Sequence, residues 1–119
     1  MSFSPPADES GPIDLEHLRR MTLGDPGLER EVLGMFARQA NQLAATLATA
    51  PPDAAALVHT LKGSARAIGA RRVAEAAAAL ESTIRDGRAQ AEPRAHALGV
   101  LGDAVAEADA AIVALLRRS

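Results

Sequence analysis

The chain has 119 residues and a formal net charge of −2, which suits one domain burying roughly two-thirds of its unfolded surface; the charge argues against a general nucleic-acid binder. It has no cysteine, so disulfides, thiolate metal sites and a cysteine nucleophile are excluded. Hydrophobic residues make up 48% of it but aromatics only 2%, so the core is built from Leu, Val, Ile, Met and much Ala, the strongest helix former, without the aromatic and β-branched enrichment of strands: the expectation is an all-α protein.

Residues 1–12, rich in Ser, Pro and acids, read as a disordered lead-in to a domain spanning 13–119. They lack the basic start and apolar run of a secretory signal, and no window approaches about eighteen continuous apolar residues, so a cytoplasmic protein without membrane attachment is expected. Ile13 to Met21 forms a short helix edged by Leu15 and Leu18. Gly24-Asp25-Pro26 is a helix start, with Asp25 as cap and Pro26 in the first turn. The helix that follows runs to about Thr49, with Leu28, Val32, Met35, Phe36, Leu43 and Leu47 on its apolar face. Pro51-Pro52 breaks it and Asp53 caps the next, about Ala54 to Ala67, with Val58, Leu61, Ala65 and Ile68 inward and Gly69 as its stop. A further helix runs from about Ala70 to Asp86, burying Val73, Ala77, Leu80 and Ile84, with Gly87 as the stop. Arg88 to Glu92 reads as a polar loop. Pro93 opens a last helix to about Arg117, striped by Leu98, Leu101, Val105, Ala108, Ile112 and Leu115 at alternating spacings of three and four. Four long helices with short connections predict an antiparallel four-helix bundle with a short extra N-terminal helix.

Chemistry concentrates in His59-Thr60-Leu61-Lys62-Gly63-Ser64-Ala65-Arg66-Ala67-Ile68-Gly69-Ala70. On a helix His59, Lys62, Gly63 and Arg66 share one face, and the apolar stripe uses another, so His59 points at solvent from a rigid element. Gly63 costs about 1 kcal/mol relative to Ala in mid-helix. It serves either the approach of a partner's backbone to the imidazole or tight helix packing. Lys62 is the single lysine among 13 basic residues; a compact ammonium and a planar guanidinium are not interchangeable at a tight phosphate site. From Ala54 to Ala74 there is no acid, yet Lys62, Arg66, Arg71 and Arg72 are present, a local positive patch suited to phosphate and to an acidic partner surface. His59 and Glu81 lie equally far from the turn at Gly69-Ala70. In an antiparallel hairpin Glu81 could therefore accept from the Nδ1–H of His59, leaving Nε2 as nucleophile; the alternative is an ordinary surface pair of Glu81 with Arg85.

The run His59-x-Leu61-Lys62-Gly63-Ser64 followed by Ile68-Gly69-Ala70 resembles the signature of histidine-containing phosphotransfer (HPt) domains. The upstream Asp14-Leu15, Gly24-Asp25 and long helix ending before Pro51 extend the likeness to residues 13–117. The resemblance implies a four-helix bundle with an extra N-terminal helix. It implies a phosphorelay carrier that takes a phosphoryl group on Nε2 of His59 from a receiver-domain aspartate or a histidine-kinase system and passes it to another receiver. Lys62 would balance phosphate charge, Gly63 give access, Ser64 fill a small polar position and Glu81 bond the other imidazole nitrogen, with Arg66 and Arg71 as partner contacts. The implied partners are receiver domains of response regulators or a hybrid kinase, with no nucleic acid and a monomeric carrier. The chain would need no cofactor of its own, Mg²⁺ belonging to the partner's acidic pocket. Nothing resembles a Gly-rich nucleotide loop, so it is expected not to be an enzyme that phosphorylates itself from ATP.

Two other readings compete. The same basic face could bind and sequester a receiver or kinase with no phosphate passing. A metal site on His17, His59 and His96 lacks any tight ligand spacing.

Overall fold

The computed structural model describes residues 11–86 and 91–118. Among these described residues five helices follow one another: α1 (Leu15–Met21), α2 (Pro26–Leu47), α3 (Ala54–Ile68), α4 (Arg71–Arg85) and α5 (Ala91–Arg118). The four longer ones close a ring in which α2 packs on α3, α3 on α4, α4 on α5 and α5 back on α2, and α1 lies on α3. This is the expected bundle. Its centre is aliphatic: Leu61, Leu80, Leu101, Ile112, Val58 and Val73 are fully buried. Ala65, Ala77 and Ala108 are buried among them, small methyl groups that let larger aliphatic side chains fill the space between helices.

The helix boundaries follow local chemistry. The Asp14 side chain accepts from the backbone N–H of His17, so α1 starts at Leu15, two residues later than expected, while Ile13 is buried just ahead of the cap. Asp25 caps α2 as predicted, accepting from Leu28 N–H with Pro26 behind it. That helix ends at Leu47, two residues short of Thr49, and Ala50 then adopts φ +54°. Asp53 stands at the N-cap of α3 without making a side-chain cap bond, contrary to expectation. The expected α3 stripe, Val58, Leu61, Ala65 and Ile68, is buried throughout. Pro93 lies inside the first turn of α5, which starts at Ala91, so Glu92 is helical and not part of a loop. The expected stop at Gly87 and the loop over 88–90 lie outside the described residues, as does the lead-in over 1–10.

The apolar face of α2 is rotated from the expected one. Leu33, Phe36, Ala40 and Leu47 are buried, whereas Leu28 and Met35 are exposed and Val32 and Leu43 are half-buried. A helix with apolar residues on more than half its circumference can face the core in several rotations, and packing against α3 and α5 selects one.

The turn between α3 and α4 is fixed from outside. Gly69 takes φ +85°, and its carbonyl accepts the N–H of Asp14 at 2.8 Å. A Cβ there would sit 2.9 Å from the Asp14 carbonyl oxygen. Nε2–H of His17 donates to the Ala67 carbonyl at 2.9 Å, satisfying one of the last, otherwise orphaned acceptors of α3. The segment leading into α1 and its first turn thus strap the end of the hairpin that carries the candidate site.

Candidate functional site

His59 sits in the second turn of α3, one position beyond the buried Val58, so its ring projects from the bundle and 65% of its side chain is exposed. Nδ1 lies 2.9 Å from Oε2 of Glu81 on α4. That carboxylate is at the opposite extreme, its side chain only 5% exposed. Lys62 donates to its Oε1, and Nη2 of Arg85 lies 3.2 Å from Oε2. Glu81 therefore makes both contacts weighed from the sequence, the imidazole and Arg85, together with a third that spacing did not suggest. These hydrogen bonds, the Lys62 ammonium first and the imidazole next, hold the Glu81 carboxyl at about 2 against an ordinary 4.5, with burial opposing them. An ionised carboxylate can only accept, so the shared proton belongs to Nδ1, and in the neutral ring Nε2 carries the lone pair. Nε2 has no hydrogen-bond partner among the described residues.

Gly63, one turn beyond His59, is exposed, and a Cβ built on it meets nothing within 4 Å. The packing explanation for this glycine is thereby removed; bare backbone faces open space beside the ring. Lys62 is not at the surface with its neighbours: only 15% of its side chain is exposed.

The remaining candidates lie away from this cluster. Ser64 lines an apolar groove between α2 and α3 with Val32, Met35, Phe36 and Gln39. Arg66 and Arg71 flank a cleft beneath α1 together with Asp14, His17 and Glu75. Arg71 is paired with Asp14 at 3.2 Å, and Arg72 with Glu107 at 2.6 Å. The positive patch read from the acid-free stretch is thus largely neutralised by acids from other parts of the chain, while Arg66 keeps no ion-pair partner among the described residues. The sequence reading missed these cross-helix pairs because their acids lie far away in the chain; no local signal points to them. Of the other histidines, His17 is occupied with the Ala67 carbonyl and His96 is exposed on α5. Among the described residues no three His, Cys, Asp or Glu side chains gather in a metal-binding group, and no helix is long and apolar enough to cross a membrane.

With this geometry established, comparison with known proteins adds the following. The family model of the Hpt domain matches residues 31–111. A crystal structure of a rice protein described as a histidine-containing phosphotransfer protein superposes with a TM-score of 0.79 at 22% identity, covering 93% of this chain and 84% of its own. At that identity the likeness speaks for the fold. No curated protein sequence gives a significant match.

Proposed function

The chain belongs to the Hpt domain family, whose model spans most of it, and from that premise we propose that it is a phosphorelay carrier that takes a phosphoryl group on Nε2 of His59 from an aspartyl phosphate of a receiver domain and passes it to another. The observation that carries the reading is an imidazole exposed on a rigid helix, its Nδ1–H held by a buried carboxylate and its Nε2 facing outward.

In the forward step the Nε2 lone pair attacks phosphorus, the P–O bond to the partner's aspartate breaks, and its electron pair leaves on that carboxylate. The ring keeps its Nδ1 proton and becomes a phosphoimidazolium whose positive charge lies against Glu81. The return step reverses these movements, and the ring leaves as neutral imidazole because Nδ1 is already protonated. In-line placement and charge stabilisation carry phosphoryl transfer. Here the fixed ring supplies the first, and Gly63 leaves room for the partner. Arg66 is assigned a partner-facing role, and the Mg²⁺ of the reaction is assigned to the receiver's pocket.

Incubation with a panel of phosphorylated receiver domains tests the proposal. The expected product is an acid-labile, alkali-stable label on the wild-type chain and none on His59→Gln, whose helical content stays unchanged because the side chain is exposed. A labelled His59→Gln protein, or one that unfolds, would overturn it. Tight binding of a receiver with no label on the wild type would favour the sequestering role instead.

A further inference from the structure

The cleft beneath α1 lies between α3 and α4, toward their common turn, and not all of its charges are spent. Ala65 and Gly69 from α3 and Ala74 and Ala78 from α4 line it, small residues that leave a hollow of about 330 Å³. Around it Asp14 and Arg71 pair with each other at 3.2 Å, and Nε2 of His17 is used on the Ala67 carbonyl. Arg66 on α3 and Glu75 on α4 are left over. Both are exposed, and neither has an ion-pair partner among the described residues. They line the same cleft from the two helices that wall it, one charge of each sign.

This cleft lies within reach of any protein seated on His59. Seven residues of helix put Arg66 about 10 Å along α3 from His59 and on the same side of it. An interface of about 800 Å² on each partner, centred on His59, extends about 16 Å from it, and one of about 600 Å² about 14 Å. The two charges also restrict what fits. A simple anion drawn by Arg66 is repelled by Glu75, and a simple cation meets the reverse. A small zwitterion gains little from two solvated charges. A protein surface that sets a carboxylate beside Arg66 and an ammonium or guanidinium beside Glu75 satisfies both.

We infer that the cleft is a partner-reading subsite: Arg66 and Glu75 receive a pair of oppositely charged side chains from the receiver domain seated on His59, and so select among receivers and fix their orientation. The inference rests on the carrier role proposed above and names what that carrier reads on its partner. Such charges act on encounter and register more than on the chemical step. A receiver whose two charges are reversed or alike meets repulsion at one wall or both, and that repulsion supplies part of the selectivity.

Titrating the chain with a panel of unphosphorylated receiver domains, and then assaying transfer from the same receivers phosphorylated, tests the subsite. The receiver that binds the wild type most tightly should bind Arg66→Glu and Glu75→Arg about tenfold more weakly each, with smaller losses in Arg66→Gln and Glu75→Gln. For transfer, kcat/KM should fall in step while kcat at saturating receiver is kept. The losses should shrink between about 0.05 and 0.5 M salt, as the charges are screened. The double variant Arg66→Glu/Glu75→Arg should prefer a different receiver of the panel. An effect at only one of the two positions overturns the inference, as do losses that fall on kcat, losses that persist at high salt, or an unchanged order of preference in the double variant. Circular dichroism identifies any reversal that unfolds the bundle, and the glutamine variants then decide. If a receiver binds the wild type but transfers nothing to it, the carrier role falls and the titrations alone judge the subsite; if no receiver binds, the subsite falls as well.

Discussion

Gly63 shows how far a single residue can be read. Its cost in a helix otherwise rich in alanine is visible in the sequence, but two explanations fit that cost, close packing or clearance. The open space around a hypothetical Cβ selects clearance. Gly63→Ala is accordingly expected to stabilise the protein by about 1 kcal/mol, measured by urea unfolding, because the methyl group meets nothing. Gly63→Gln should fold equally well and accept phosphate more slowly, since its side chain stands where the partner's backbone approaches. Undiminished transfer in that variant would leave the glycine without a functional explanation. Glu81 was legible as a candidate from counting along the hairpin, because residues equidistant from a tight antiparallel turn come level with one another. Its hold on Lys62 was not, because the same count does not say which way a flexible side chain bends.

At the scale of the element, α3 was read almost to the residue and α2 was not. The stripe of α3 sets Val58, Leu61, Ala65 and Ile68 in one narrow arc, and apart from Leu57 its other residues are alanine, glycine or polar, so one rotation buries it best. On α2 apolar residues spread over a wide arc, and the final choice placed Leu33 inside and Met35 out. The turn joining α3 to α4 depends on a residue outside both. Gly69 is required twice, for its positive φ and for the contact with Asp14. Gly69→Ala is expected to destabilise the protein by at least about 1 kcal/mol, the lower end of the cost of a left-handed conformation for a residue with a Cβ, with the contact adding to it. A urea midpoint unchanged from wild type would contradict this. The glycine was predicted as a helix stop from its position alone; the strap across it was hidden, since Asp14 and Gly69 are far apart in the chain.

The whole molecule's response to acid follows from two carboxylates held ionised. Glu81 titrates at about 2 when folded against 4.5 ordinarily. Asp14 is lowered below 3.8, chiefly by the His17 backbone N–H and then by Arg71. Both have depressed folded values, so in the window between folded and unfolded values the unfolded chain binds more protons and stability rises with pH. The Glu81 contribution is complete above about pH 4.5 and is lost as pH falls toward about 2; that of Asp14 is lost in the same direction, as pH falls below its ordinary value. Unfolding free energies measured across that window should drop with acidification, and Glu81→Gln should flatten the slope. An equally steep slope in the variant would show that Glu81 is not held as described. The same pairing of acids from distant segments with Arg71 and Arg72 is why the basic patch inferred from a local stretch of sequence is weaker in the folded molecule.

The order of helices, the bundle and the histidine that faces water were determined by the sequence itself. They depend on periodicity and capping, which are short-range properties in which a residue's neighbours are already known. Only the folded chain decided which face α2 turns inward, that α1 straps the Gly69 turn, and that the lone ammonium grips a carboxylate on the next helix. Those contacts join residues tens of positions apart, and their geometry exists only once the helices have chosen their rotations against one another.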